Sequence, residues 1–367
     1  MKVLHIINSL ETAGAERLMT GLLPLMLQQG YQTELLVLNK KRTPFYNQLV
    51  EKGVTIHTLH YSKGKYNPLV ILELRKYLRC YDIVHVHLFP AQYWAAICKW
   101  LFRLKTPLVT TEHSTSNTRF NYSVTTWTDR WVYRRYAAII CISEAVNQVM
   151  VQRILGQVPT LTINNGIDID MFSMAKPLPH SYFSVPDDAY ILMQVARFQS
   201  EKNQDCVIRA LKHLPKNVYA VFAGDGERME LCKSLAKEIG VAERVRFLGV
   251  REDIPQLWAS ADIAVMSSHW EGFGLSILEA MAAGIPAIAT KVKGLSLVIG
   301  NSDLCFPDDD DRQLAVLVQQ LIQDDHYRQQ VSTYCQKQAS QFSIKKMADA
   351  YIEEYKHILL ECKKERI

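Results

Sequence analysis

Short apolar runs, each sized for one buried strand, alternate with helical patterns along the whole chain, and few folds accommodate that order. In the first half the runs are Val3–Ile7, Thr33–Leu38, Val54–Thr58, Ile83–Val86, Leu108–Thr111, Ala138–Ile142 and Thr160–Ile163. Helical stretches fill most gaps, among them Glu16–Gln28 closing at Gly30 and Glu144–Leu155 closing at Gly156. Strands apolar on both faces must be covered on both, and a strand–helix–strand succession makes neighbouring strands parallel. The sequence therefore predicts α/β structure, a doubly wound parallel sheet with helices on each side.

Residues 176–186, KPLPHSYFSVP, interrupt the order with three prolines and no helical period, and read as a linker. Alternation resumes at Tyr190–Val195, Val218–Ala223, Val245–Leu248, Ile263–Ser267 and Ala287–Thr290, and long amphipathic helices follow from about Asp311. A length of 367 residues leaves room for two cores. The expected organisation is one Rossmann-like domain over 1–174, a second over 175–343, and a terminal helix over 344–367. Two such sheets in tandem would form a cleft at the carboxyl ends of their strands, where open α/β sheets bind ligands.

No stretch approaches the ~20 apolar residues that span a bilayer. The opening MKVLHIINS lacks the long apolar region and cleavage site of a signal peptide. Eight scattered cysteines form no CxxC pair, which points away from zinc and disulfides and toward reduced thiols in the cytosol. Residues 1–174 hold 19 Lys and Arg against 11 Asp and Glu, so the first half carries the positive charge. Such a half suits a phosphorylated substrate, anionic lipid or nucleic acid.

The most informative stretch is Ser268–Thr290, SHWEGFGLSILEAMAAGIPAIAT. Gly272 and Gly274 permit a tight turn, and a helix is predicted over Leu275–Ala283, stopped by Gly284 and Pro286. The exposed first-turn N–H groups of that helix suit a phosphate. Glu279, about one turn in, could accept from the hydroxyls of a ribose, and Glu271 could hold a second sugar. Two other readings stay open: solvated acids flanking a helix, and a glycosidase carboxylate pair, which the helix start between them disfavours.

In VARFQSEKN a buried strand ends at Ala196, leaving Arg197 and Lys202 in the loop beyond as cations for a diphosphate or as plain surface charges. FAGDGE, Phe222–Glu227, is a strand and glycine turn without GxGxxG, and reads as a support for the cleft. SLETAGAER, Ser9–Arg17, puts Gly14 where a loop could approach a ligand, with no phosphate-loop lysine beside it. His85 and His87 share a strand face and His113 follows the next strand; without acids at ligand spacing, no metal is expected. His113, at a strand end, is better placed to donate to a sugar hydroxyl.

Taken in order, the loop at Gly14, CISEA, NNGIDIDMF, ARFQSEKN, AGDGE, FLGVREDIPQLWASADIAVMSS and EGFGLSILEA resemble the family 4 glycosyltransferases, the retaining group with the GT-B fold. The resemblance covers nearly the whole chain. It implies a nucleotide-diphosphate sugar substrate, UDP or GDP, with no cofactor and no metal. It assigns Arg197 and Lys202 to the diphosphate, Glu279 to the ribose and Arg251 to the side of the nucleobase. Glu271, Phe273, Gly274 and Leu275 go to the transferred sugar, His113 touches that sugar from the first domain, and Gly14 marks the glycine loop. Glu271 and His113 are the expected catalytic residues. Retention without an evident nucleophile implies front-face attack. Fold analogy brings the last helix back toward the first domain. Two departures stand out: Ala13-Gly14-Ala15-Glu16 replaces the family's GGAE, and Lys293-Gly294-Leu295-Ser296-Leu297 lacks the first glycine and the acid of GGxxE.

Residues 89–136 hold Trp94, Trp100, Trp127 and Trp131 among Lys99, Arg103, Lys105, Arg119, Arg130, Arg134 and Arg135. That mixture suits a membrane interface with anionic headgroups, or equally a packed core with a solvated basic face. The expected protein is cytoplasmic, docked on the inner face of the membrane, and extends a glycan or lipid-linked saccharide in surface polysaccharide synthesis. Nucleic acid is not expected, because no matching fold accompanies the aromatics. Two rivals are a GT-B sugar-nucleotide epimerase and a nucleotide-sugar-binding scaffold whose catalytic contacts have decayed.

Overall fold

The apolar runs of the first half pair as one seven-stranded sheet, in the order β3-β2-β1-β4-β5-β6-β7. Its strands are β1 (Lys2–Ile7), β2 (Gln32–Val37), β3 (Thr55–Thr58), β4 (Ile83–His87), β5 (Leu108–Glu112), β6 (Ala138–Cys141) and β7 (Thr160–Thr162). Every pairing in it is parallel. The computed structural model describes residues 1–11, 14–39, 41–59, 66–114 and 123–364, with side chains of 123–125 excepted.

A second parallel sheet of six strands has the order β10-β9-β8-β11-β12-β13. It comprises β8 (Tyr190–Val195), β9 (Val218–Ala223), β10 (Val245–Phe247), β11 (Ile263–Met266), β12 (Ala287–Thr290) and β13 (Cys305–Phe306). The two residues of β13 are too few to register as an apolar run, and the sequence reading has no strand there.

The chain divides into one unit of residues 1–166 with 344–367 and another of residues 167–343. The crossing therefore falls at Gly166–Ile167, earlier than the 174/175 boundary read from the sequence. Ile167 donates its N–H to the Phe342 carbonyl at 3.0 Å and forms a parallel bridge with Ser343, which ties both ends of the second unit together. Residues 176–186 are not a free linker. Leu178 donates to Ser260 Oγ at 2.7 Å, Phe183 is buried, and Arg246 donates to the carbonyls of Phe183 and Ser184. Proline count made this stretch look unstructured; the anchors are the buried Phe183 and Val185, the Tyr182 hydroxyl and bonds to the backbone, which carry no sequence period.

In the first unit the helix Gly14–Gln28 lays Leu18, Met19, Leu22, Leu23 and Met26 on the sheet. The last helix, Ile344–Lys364, completes the same core with Met347, Ala348, Tyr351, Ile352, Tyr355 and Ile358. Gly21 makes room for it: a Cβ there would lie 2.6 Å from Ile344 Cδ1. Among the described residues no helix is long and apolar enough to cross a membrane.

Candidate functional site

β8 is the first strand of the second unit in the chain yet lies in mid-sheet. The chain builds outward through β9 to β10, then returns to β11 on the other side of β8. At such a reversal the loops leaving the two adjacent strands part, opening a crevice at their carboxyl ends. Those loops are residues 196–203 after β8 and 267–274 after β11. Arg197 and Lys202 lie on the first, Glu271 on the second, so three of the singled-out residues lie on the loops that flank this opening.

Backbone bonds hold the first loop. Ser267 Oγ donates to the carbonyls of Lys202 at 3.1 Å and Asn203 at 2.8 Å, and Gln204 Nε2 donates to the Arg197 carbonyl at 3.0 Å. The glycine turn after β9 backs it directly. A Cβ on Gly224 would lie 2.0 Å from the Ala196 carbonyl oxygen, and one on Gly226 2.4 Å from that of Phe198. The AGDGE turn thus supports the Arg197 loop. The Arg197 side chain is exposed and, among the described residues, joins no ion pair.

The second loop leads into the helix Leu275–Ala282. Gly274 precedes it at φ +95°, in the left-handed region, and no side chain caps the N-terminus. Ser276 Oγ donates to the Val195 carbonyl at 2.6 Å, pinning the first turn to the end of β8. The free N–H groups therefore open toward the crevice with a partial positive charge. Lys202 Nζ binds Glu271 Oε2, joining the two loops by an ion pair whose members are each about a fifth exposed. Glu279 is buried in the second turn of the helix.

Sequence reasoning missed Gly294. A Cβ there would lie 2.2 Å from the Glu271 carbonyl oxygen and 2.9 Å from the Gly272 carbonyl carbon, so the chain after β12 rests on the Glu271 turn backbone to backbone. The signal was present as the retained glycine of the altered GGxxE segment, but the sequence does not say which loop it faces.

Other expected residues take different positions. Phe273 is buried with its ring 5.4 Å from that of Phe342, which leaves its backbone rather than its side chain for a ligand. Arg251 is engaged bidentately by Asp253, at 2.9 and 2.7 Å, and also bonds Tyr182 Oη. That pairing raises the guanidinium's pKa, with the Asp253 hydrogen bond as the main cause, and the guanidinium also lies over the Tyr182 ring, 5.6 Å from its centroid. Leu275 is half-buried at the helix start. Gly14 opens the helix Gly14–Gln28 and is exposed; Thr12 and Ala13 of its loop, like Arg119, lie outside the described residues.

The histidines belong to the first unit. His85 and His87 do share a face of β4, and the third member is His5 on neighbouring β1, whose register sets it opposite His85. All three are fully buried. His85 bonds Tyr355 Oη and, at 2.7 Å, Thr111 Oγ1; His5 Nδ1 and His87 Nε2 meet at 3.1 Å. One ring nitrogen of each lies within 4.8 Å of the other two, a spacing that a metal ion could share, and the nitrogens also meet one another and neighbouring hydroxyls. His113, half-buried after β5, meets His87 Nδ1 through Nε2 at 3.4 Å. Burial holds His5 down to about 3, His113 to about 4, and His85 and His87 well below the ordinary imidazole value.

Residues 181–338 match the family model of glycosyl transferases group 1, and residues 12–171 match that of glycosyltransferase family 4. The lipopolysaccharide core biosynthesis glycosyltransferase LpsE of Rhizobium meliloti is 33% identical over 171 residues, 46% of this chain and 50% of that one. The N-acetyl-alpha-D-glucosaminyl L-malate synthase of Bacillus anthracis is 26% identical over 304 residues, 78% of this chain and 77% of that one. The chain spans about half the length of the first curated relatives it matches. Among solved structures, Anabaena HepE in complex with UDP-glucose superposes with a TM-score of 0.83 at 24% identity, over 97% of this chain and 100% of that one, a likeness of fold.

Two outcomes are expected. Gly294→Ala forces the Glu271 turn aside and lowers stability by about 1–3 kcal/mol, the range for an overpacked site, read from urea unfolding; an unchanged midpoint would mean the turn yields freely. The second concerns pH. The unfolded chain takes protons on these histidines below about 6.5 while the native chain does not, so their stability contribution is complete above that value and lost as pH falls. Between about pH 7 and about pH 5 the loss is on the order of 1 kcal/mol per pH unit for each buried imidazole. A flat urea midpoint over that interval would mean the native imidazoles protonate.

Proposed function

The chain belongs to the family 4 glycosyltransferases of the GT-B fold, and from that premise we propose that it is a retaining glycosyltransferase. It moves a sugar from a nucleoside-diphosphate donor to a glycan or lipid-linked saccharide in surface polysaccharide synthesis. One observation carries the reading: Arg197, Lys202, Glu271 and an uncapped helix N-terminus converge at the one reversal of strand order in the second sheet.

In this reading the diphosphate lies against the N–H groups of residues 275–277, with Arg197 as a planar fork and Lys202 as a point charge. The donor enters a site whose lysine is already paired. Phosphate oxygens compete with Glu271 for the Lys202 ammonium, and the carboxylate so released accepts from hydroxyls of the transferred sugar. Glu279 serves the ribose, and Arg251 serves the base. The acceptor oxygen bonds the anomeric carbon on the face from which the diphosphate departs, and its proton passes to a phosphate oxygen. Rate then comes from positioning and from positive charge at the leaving group, supplied by side chains and N–H groups without a metal. The neutral imidazole of His113 contributes a hydrogen bond to the sugar. UDP-glucose bound to HepE supports a uridine donor as the first to try, with GDP next.

A surface of the first unit supports a membrane-facing acceptor. Trp100 and Leu101 end the helix Ala91–Leu101 exposed, and Trp127 of the helix Ser123–Tyr133 is 70% exposed, beyond what packing explains. Arg103, Lys105 and Arg134 are exposed in the same region of the sequence. Cations beside exposed tryptophan suit an anionic bilayer surface and a peripheral, cytoplasmic location.

A thermal-shift panel of UDP, GDP, ADP and CMP with their sugar conjugates tests the donor site. Selective stabilisation by one diphosphate and its sugar is expected; no shift would bring the scaffold reading forward, and isomerisation of the donor without acceptor would identify an epimerase. Glu271→Ala keeps nucleotide binding and loses transfer about a hundredfold or more. Arg197→Ala weakens diphosphate binding by about tenfold or more, as for a lost charged hydrogen bond, and unchanged affinity would refute its role. Flotation with vesicles rich in anionic lipid should carry the protein and lose the Trp100→Ala/Trp127→Ala variant. Absence of binding by the parent protein would sink the membrane reading.

A further inference from the structure

We infer that a buried string of imidazoles, His5 to His87 to His113, holds His113 in its Nδ1–H tautomer, so that it offers its ligand a hydrogen-bond donor and not an acceptor. This rests on the proposed contact between His113 and a sugar hydroxyl, but the string itself stands on the geometry of the first unit.

The two bonds run end to end. His5 Nδ1 and His87 Nε2 are 3.1 Å apart with ring centroids at 5.4 Å and planes within 8°. His87 Nδ1 and His113 Nε2 are 3.4 Å apart with centroids at 5.7 Å. In each case the centroid separation exceeds the nitrogen separation by two ring radii, so each bond lies along the line joining the rings. Burial keeps all three imidazoles neutral, and a neutral imidazole has one N–H and one lone pair. Only two consistent strings exist: every ring protonated on Nδ1, or every ring on Nε2.

The far end chooses between them. His5 Nε2 is buried and, among the described residues, has no hydrogen-bond partner. Were it protonated, a desolvated N–H would face no acceptor, the rarer and costlier defect; left as a lone pair, it is the milder one. His5 then donates from Nδ1 to His87, His87 donates from Nδ1 to His113 Nε2, and His113 is left with Nδ1–H. His85 cannot divert the string, because both its nitrogens are taken by Tyr355 Oη and Thr111 Oγ1, and Thr111 in turn meets Tyr351 Oη at 3.3 Å. His5 and His87 act through His113 and are positioning residues.

The test is the tautomer itself. In the full chain labelled with 15N-histidine, long-range nitrogen–proton correlations at neutral pH should show His5, His87 and His113 all protonated on Nδ1 alone. His113 found as Nε2–H, or as imidazolium, overturns the inference without any variant. His87→Leu, which removes the donor to His113 Nε2, should free His113 toward Nε2–H and slow transfer about five- to tenfold, as for one lost hydrogen bond, with nucleotide affinity unchanged. His87→Asn, whose amide N–H stands in for Nδ1–H, should restore both tautomer and rate; if Leu at that position leaves the tautomer untouched, the string does not set it. Normal transfer by His113→Ala, with the expected tautomers in the parent, removes the sugar contact and supports the string. Lost transfer in that variant with an Nε2–H spectrum removes the string and leaves the contact.

Discussion

Parallel neighbours cannot be joined by a hairpin, so each strand here is followed by a crossover that returns the chain to the same starting edge. All loops leaving strand carboxyl ends therefore gather at one edge of each sheet. The reversal of order at β8 then decides which of those loops part. Nothing else in the second unit is needed to explain why Lys202, 69 residues before Glu271, comes within reach of it. Chemistry is added to an opening that topology has already made.

What fixes the opening to useful tolerance is backbone resting on backbone. Gly224 and Gly226 lie on the Arg197 loop and Gly294 on the Glu271 turn, each at a distance that leaves no space for a methyl group. Side-chain contacts can repack around a change by rotating; carbonyl oxygens against a Cα cannot. The loops carrying the charged groups are thus held by their least adjustable parts, while the charged ends remain free to exchange partners. The Lys202–Glu271 pair is such an end: two opposite charges, each partly wet, whose mutual attraction is modest enough to give way to a doubly charged diphosphate.

Twelve of the thirteen strands were legible: the central ones, buried on both faces, read as near-continuous apolar runs, and the partly exposed β3, β7 and β10 stood out through the alternation of strand and helix patterns, with the family motifs on the loops between. β13 was too short to leave such a trace. The stretch 176–186 misled for the opposite reason: its prolines are conspicuous, whereas Phe183 and the backbone bonds that dock it are not. Gly294 looked like the remnant of a degraded motif because a glycine's partner is a matter of space, not of spacing. The same holds for His5. HxH advertised His85 and His87, but the residue that joins them comes from a strand about eighty residues earlier, brought alongside by the crossover that sets β1 next to β4.

The first unit owes its closed core to the last helix, and this has a bearing on how the molecule comes into being. Made from the N-terminus, the seven strands are complete long before Met347, Tyr351, Tyr355 and Ile358 exist, so one sheet face, covered only in part by the helix Gly14–Gln28, waits with the rest of its apolar residues open and His85 without the Tyr355 hydroxyl. The stretch 167–343 is contiguous and has its whole core available before that helix is synthesised. The usual order, in which the N-terminal domain folds first on the ribosome, is inverted: the insert can reach its native state while its host is still a docking platform. The nascent chain is most exposed to chaperones and proteases during that wait, and residues 344–364 are what end it.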